Sequence, residues 1–284
     1  MPHRLLCVHP HPDDESIACG GLIARSVAAG REVHVVTCTG GEEGENQAGI
    51  DLGGRDMGDV RRDEMADAIT ALGGPTHHWL GYRDSGMVGE ASNEHPDAFH
   101  GVDLDEAAGR LAAIIREVRP HVVVSDDEQG TYGHPDHIKG NRVTVRAVEL
   151  AADEAWDGPG EPWTTPKRYV HVLPRTRLFK IHRTLVEADL ASPFGEQEIE
   201  TPDDLLFGAP DDEVTAAVDV RDVLDRKQAA MAAHRSQIGE DSFFLNVPDV
   251  LGETLFGYEE FALRQGEPGT DDLPESDVFA GVTA

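Results

Sequence analysis

The sequence predicts an α/β protein: a Rossmann-like, mostly parallel sheet with helices on both faces, plus a smaller C-terminal sub-domain. Three observations predict it. Short apolar runs alternate with helical periodicity over the first ~150 residues, the pattern of a parallel sheet covered on both sides. The loops richest in polar and small residues, at 10–15, 40–45, 81–87 and 126–137, all follow runs that read as strands. Chemistry in such sheets gathers beyond the carboxyl ends of the strands. The chain has 284 residues, 39% of them hydrophobic, enough for one large domain with a sizeable core.

Residues 5–9 are an apolar run ending in His-Pro-His-Pro. They read as a buried strand that stops abruptly, because the residue before a proline avoids helix. Residues 16–29 read as a helix with small residues facing the sheet and Gly30 as its stop. Residues 33–39 are a second strand, running into Gly40-Gly41-Glu42-Glu43-Gly44. Residues 56–72 are helical and are stopped by Gly73-Gly74-Pro75. A short strand at 77–80, a helix at 105–118 ended by Pro120, and a strand at 121–125 follow. Residues 126–137 read as a polar loop and 138–152 as a helix.

The rest is less regular. Residues 153–166, rich in Gly, Pro and Trp, read as a connection. A strand is expected at 167–173, a helix at 178–190, an irregular acidic excursion at 192–213, a strand at 214–220 and a helix at 222–234. The last residues lack periodicity and read as frayed. The organisation expected is a catalytic core over 1–152, a C-terminal portion at 153–266 that completes the same domain and covers the site, and a disordered tail at 267–284.

Charge narrows the function. Against 54 Asp plus Glu stand 24 Lys plus Arg, a formal net charge of −30. Nucleic-acid binders need cations facing phosphates, and anionic membranes need polybasic segments, so both partners are excluded. The acids are spread over the whole chain, and Lys139, Lys167, Lys180 and Lys227 are the only lysines. Adaptation to high salt is one reading, because screening removes the self-repulsion of such a surface; a soluble protein that merely carries many acids is the plain one. Under the first reading the melting temperature rises from low to molar salt. A flat response in thermal melts would remove it.

Cys7, Cys19 and Cys38 are too few for a disulfide scaffold, and each reads as a core thiol. No run of ~18 apolar residues occurs, so no membrane span is expected. Met1-Pro2-His3-Arg4 enters a strand at once and lacks a signal-peptide plan, which makes the cytoplasm the expected location.

Two clusters carry the chemistry: His9-Pro10-His11-Pro12-Asp13-Asp14-Glu15 and Tyr132-Gly133-His134-Pro135-Asp136-His137. Each packs imidazoles and carboxylates into a proline-constrained loop after an expected strand. Both groups are zinc ligands, and a catalytic zinc takes three protein ligands and keeps a position for water. Any one histidine alone is better read as a surface or capping residue, and Asp13 or Asp14 as a helix N-cap. Two such clusters at one sheet edge favour a metal site, with iron or manganese suiting the same ligands.

These residues resemble the LmbE-like (PIG-L) N-acetylglucosaminyl deacetylases. The resemblance extends to Thr37-Cys38-Thr39-Gly40-Gly41-Glu42-Glu43-Gly44-Glu45, Arg61-Arg62-Asp63-Glu64-Met65, Arg83-Asp84-Ser85-Gly86-Met87, Arg119-Pro120-His121-Val122-Val123-Val124 and Ala233-His234-Arg235-Ser236-Gln237. These fit the mycothiol branch, with its biosynthetic deacetylase and its S-conjugate amidase. The resemblance covers residues 4–152 well and 213–264 loosely.

It implies one Zn2+ per subunit, or Fe2+, held by His11, Asp14 and His137. It implies Asp13 as general base and His134 as the group that steadies the oxyanion and protonates the leaving amine. Asp136 is implied to orient His134, and Tyr132 to reach the carbonyl from a mobile loop. Glu45, Arg61 and Asp84, with Met87 nearby, are implied to line the sugar pocket. Read alone, Arg61 is a helix-surface cation, Asp84-Ser85-Gly86 a turn and the acids at 42–45 a solvated loop.

The expected activity is deacetylation of a small amido sugar, N-acetylglucosaminyl-inositol first. A conjugate amidase, or a deacetylase of another amino sugar or secondary metabolite, shares the chemistry. Ala18, where such amidases carry a basic residue, tilts the reading toward the deacetylase. A metal- or sugar-binding module without turnover is the rival from another class, and nothing in the implied base position argues for it. A metallophosphoesterase wants two metals and cations for phosphate, and these loops supply acids. No oligomeric state is assigned.

Overall fold

The computed structural model describes residues 2–283 except 191, 193, 196, 197 and 252–255. Its strands are β1 (Arg4–His9), β2 (Glu32–Thr39), β3 (Thr76–Tyr82), β4 (Val122–Ser125), β5 (Lys167–Val172), β6 (Ala216–Asp219) and β7 (Tyr258–Gln265). They form one sheet in the order β3-β2-β1-β4-β5-β7-β6. The first five run parallel, and β7 pairs antiparallel with both β5 and β6. The helices are α1 (Asp14–Ala28), α2 (Met57–Ala71), α3 (Leu104–Val118), the single turn α4 (Gly130–Gly133), α5 (Pro135–Ala152), α6 (Arg175–Glu187), α7 (Leu224–Ala233) and α8 (Phe243–Leu251).

The strand alternation explains the two faces. In β1, Leu5 and Cys7 enter one core while Leu6 and Val8 enter the other; in β4, Val122 and Val124 oppose Val123. Successive side chains on a strand point to opposite faces, so a sheet covered on both sides reads as a continuous apolar run. Helices α1, α2 and α7 cover the first face, and α3 and α5 the second. The chain leaves β1 in one direction to β2 and returns on its other side as β4. That reversal is the switch point of the sheet, the position where open α/β sheets bind ligands.

Three expectations change. Residues 135–137 are not loop: α5 starts at Pro135, a residue whose φ is pre-set for a first helical position. Strand β7 was not legible, because its buried Glu259 breaks the apolar alternation; that carboxylate is taken up by Lys227 at 2.6 Å and the backbone N–H of Leu22 at 2.7 Å.

The tail over 267–283 is packed rather than disordered. Val278 and Phe279 enter the core beside α1, and Arg31 Nη1 donates to Asp277 at 3.1 Å. Glu275 is buried, with Lys167 Nζ donating to its two carboxylate oxygens at 3.0 and 3.1 Å and the Tyr169 hydroxyl donating as well. Removing one partner of a buried pair strands the other charge. Glu275→Ala should therefore cost about 3–5 kcal/mol, seen as a lower urea midpoint. An unchanged midpoint would show that the tail contributes nothing to stability.

Candidate metal centre and active site

The loop after β1 is tied to the end of β2, since both the N–H and the hydroxyl of Thr39 donate to Pro10 O, at 2.9 and 3.0 Å. Asp13 then occupies the N-cap position of α1 with φ 104°, and its side chain caps no helix N–H. A non-glycine residue held at positive φ is strained, and such strain collects at functional sites.

Its carboxylate turns to Arg61, whose Nη2 donates to Asp13 Oδ2 at 3.2 Å and also to Pro12 O. Arg61 Nη1 donates to Gly41 O at 3.1 Å. A Cβ at Gly41 would lie 2.4 Å from that guanidinium, so the close approach requires glycine. From the other side, Glu15 Oε2 accepts the Asp13 N–H at 3.0 Å while Glu15 Oε1 lies 2.9 Å from His234 Nε2. Burial pushes the Asp13 carboxyl up to about 6, with Arg61 opposing and the Asp14 charge adding to the rise.

Beside it stands a cluster drawn from three strand ends. Asp14 Oδ2 lies 3.5 Å from His11 Nδ1 and 3.4 Å from His137 Nε2. The remaining nitrogen of each ring faces further carboxylates. His11 Nε2 is 3.3 Å from Asp136 Oδ2 and 3.4 Å from Asp84 Oδ1, and His137 Nδ1 is 3.3 Å from Asp126 Oδ1. Asp136 is itself held by the N–H of Ser85 at 2.9 Å and by the Ser85 hydroxyl.

Carboxylates of this kind fix the tautomer and aim the free nitrogen of a metal-binding histidine. Ligand atoms about 3.4 Å apart are the edges of a tetrahedron whose bonds are about 2.0–2.1 Å. His137 is 3% exposed, yet neither of its ring nitrogens makes a hydrogen bond. Donor types, spacing and that orphaned imidazole fit a divalent cation between His11, Asp14 and His137. At this site two groupings have all their ligand atoms within 4.8 Å of one another, His11 with His134 and His137, and His11 with Asp84 and Asp136; Asp14 joins them through its contacts with His11 and His137.

The charges follow the geometry. Burial pushes Asp14 up, but the His137 charge and the His11 hydrogen bond outweigh it and hold the carboxyl below its ordinary range. Burial lowers His11, and Asp84 and Asp136 outweigh it, raising that imidazole well above its ordinary value. His137 is raised in the same way, burial being outweighed by Asp14 and Asp126. His134 goes the other way, lowered to about 4 by burial and then by the charges of His11 and His137.

His134 Nδ1 accepts the backbone N–H of Asp136 at 3.1 Å, capping α5. A protonated ring would set two N–H groups against each other there, so the ring is neutral and its proton sits on Nε2. Its ring centroid is 4.7 Å from that of His11 and 5.4 Å from that of His137. Tyr132, 55% exposed, stands with its ring centroid 5.2 Å from that of His137 and follows the strained Thr131 (φ 60°).

The structure thus brings together His11, Asp13, Asp14, Asp84, His134, Asp136 and His137, with Tyr132 at the mouth. It differs from expectation at five residues. The Asp136 carboxylate faces His11 and Ser85; only its backbone N–H orients His134. Asp84 lies against His11 in the cluster rather than only on a pocket wall. Arg61 is buried and braces Asp13, with its two terminal nitrogens on two carbonyls and that carboxylate. Glu45 is exposed and offers its backbone carbonyl to Gln237 Nε2 at 2.9 Å. Ala18 belongs to the core, so it says nothing about substrate size.

Met87, after the Asp84 turn, is 43% exposed. Sequence reasoning missed Asp126, Ser85 and the Glu15–His234 pair. Asp126 ends β4 directly, and that position was the one signal for it.

A cleft lined by Glu42, Met57, Arg62 and Arg83, among others, adjoins this cluster through Glu42, whose Oε2 accepts the Asp84 N–H at 2.9 Å. No helix among the described residues is long and apolar enough to cross a membrane.

Fold and site together define an α/β protein with an imidazole–carboxylate cluster, of donors that fit a cation, at the switch point of its sheet. Residues 6–148 match the family described as PIG-L: GlcNAc-PI de-N-acetylase. The 1D-myo-inositol 2-acetamido-2-deoxy-alpha-D-glucopyranoside deacetylase of Thermomonospora curvata is 45% identical, over 98% of this chain and 97% of its own. The chain belongs to the PIG-L family.

Among solved structures, the N,N'-diacetylchitobiose deacetylase of Pyrococcus horikoshii superposes with a TM-score of 0.62 at 21% identity, covering 93% of this chain and 84% of that one. The 4-carboxy-2-hydroxymuconate hydratase of Pseudomonas putida superposes with a TM-score of 0.61 at 21% identity, over 95% and 99%. A hydratase on the same fold shows that the architecture alone does not choose the reaction.

Proposed function

We propose that this chain is a zinc-dependent N-deacetylase that converts N-acetylglucosaminyl-inositol to the free amine and acetate, a step of mycothiol biosynthesis. The observation that carries the reading is the near-full-length 45% identity to a deacetylase of that name, together with the cluster around Asp14. His11, Asp14 and His137 would hold the cation, with Asp84 and Asp136 orienting His11 and Asp126 facing His137. Fe2+ suits the same nitrogen and oxygen donors. The cation supplies Lewis acidity, acidifying a water and polarising the amide carbonyl.

Asp13 takes one proton as the water oxygen bonds to the carbonyl carbon. Arg61 and the Glu15–His234 pair hold it in its strained pose, where it would stand beside the cation without binding it. The neutral Nε2–H of His134 donates to the carbonyl oxygen, where negative charge develops. Asp13 then returns its proton to the amine nitrogen as the C–N bond breaks, giving the neutral amine and acetic acid, which loses its proton to water as acetate. This moves the acid role from His134, whose only ring proton is needed at the oxygen, to Asp13. Tyr132 at the mouth reaches the same carbonyl. The adjoining cleft offers guanidinium and carboxylate groups, which suit hydroxyls.

The test sets N-acetylglucosaminyl-inositol beside a bimane-labelled mycothiol conjugate, with primary amine as the readout. A kcat/KM at least about tenfold higher on the first, 1.4 kcal/mol in transition-state binding, is expected. Faster turnover of the conjugate would make the chain an amidase, and silence on both would move the substrate to another amino sugar.

A further inference from the structure

Residues 10–13 are strung between β1 and α1. Both elements carry a thiol facing the same point of the core. Cys7 from β1, Cys19 from α1 and His9 at the end of β1 place two sulfurs and an imidazole nitrogen within 4.8 Å of one another. The three residues are 0%, 0% and 1% exposed, in that order. All three cysteines of the chain are free. The His9 ring has no oxygen or nitrogen partner and interacts with the Cys7 sulfur.

A buried imidazole whose polar neighbours are two thiols is only weakly satisfied, because S–H is a weak donor and sulfur a weak acceptor. A metal ion between the three groups would take up the imidazole lone pair and both sulfurs. Two cysteines and a histidine are a zinc donor set, and sulfur selects thiophilic cations over Mg2+ or Ca2+. Charge agrees with the burial: two thiolates and a divalent cation sum to zero, so no net charge enters the core.

We infer that Cys7, His9 and Cys19 form a second metal site, separate from the cluster around Asp14, that takes a thiophilic divalent cation of the Zn2+ class. Binding releases the two thiol protons and forms two metal–sulfur bonds and one metal–nitrogen bond. The ion clips β1 to α1 beneath the loop that carries His11 and Asp13. It has no route to substrate, so its effect is on the stability of that loop. Nothing in this inference rests on the identity of the substrate.

The test uses the full chain, loaded with Zn2+, desalted and assayed for metal by mass spectrometry. Two zinc ions per chain are expected in the wild type, and one in each of Cys7→Ala/Cys19→Ala and His11→Ala. In the Co2+-loaded protein, a near-ultraviolet sulfur-to-cobalt band should appear in the wild type and in His11→Ala and be absent from the double cysteine variant. A single metal per chain with no sulfur band in the wild type overturns the inference. So does a band that survives in the double variant, or a Cys7–Cys19 disulfide found by intact mass. If the double variant does not fold, the wild-type count and the band in His11→Ala decide alone.

Discussion

Asp13→Ala should leave the catalytic cation in place and lower kcat by about 10²–10⁴-fold, the usual worth of a positioned general base. Three observations make the expectation specific. Asp13 is not among the groups that face both His11 and His137; Asp14 is. Its carboxylate makes no N-cap bond, so removing it costs α1 no side-chain cap. Arg61 donates to the Asp13 carboxylate at 3.2 Å, and Glu15 accepts the Asp13 backbone N–H at 3.0 Å. Metal content and melting temperature close to wild type, with turnover nearly lost, is the signature of a base. Turnover near the wild-type rate would remove Asp13 from that role, and loss of metal would make it a ligand.

Removing the cation should have the other large effect. Chelation, or His137→Ala, should reduce turnover on the order of 10³-fold, several kcal/mol of transition-state stabilisation, with Zn2+ or Fe2+ restoring the chelated wild type. His137→Ala should not recover at matched metal. The same account makes a graded claim about Asp126, which no motif singled out. Asp126→Asn keeps all three ligands but loosens His137, so metal affinity should fall about 10–100-fold and excess metal should rescue the rate. Failure of rescue would mean that Asp126 acts on the reaction itself rather than on the ring it faces.

The imidazole–carboxylate cluster was readable because proline-flanked clusters after strands combine local pattern with a rule about sheet ends. Both pieces survive without tertiary information. What was lost depended on who faces whom. Asp136 sits two residues from His134, so spacing suggested a side-chain pair. Helix α5 begins one residue earlier, and its first turn swings the carboxylate to His11 and leaves only the amide on His134. Arg61 read alone as a surface cation, yet it is buried; its partners come from residues 12, 13 and 41, which converge only in the fold.

Strand β7 and the tail escaped for a related reason. Their buried acids, Glu259 and Glu275, are neutralised by Lys227 and Lys167 far away in the chain, and hydrophobic periodicity is blind to such pairs. Of the 54 acids, then, some hold imidazoles and others buried lysines. The excess acidity belongs to the surface.

The most direct test of the whole account follows acetate and primary amine together on N-acetylglucosaminyl-inositol, using chelated protein, metal-restored protein and metal-loaded Asp13→Ala. The account predicts equal amounts of acetate and amine from the restored wild type and almost none from the other two. Amine release that persists in the chelated protein, or that runs at the wild-type rate in Asp13→Ala, would contradict it.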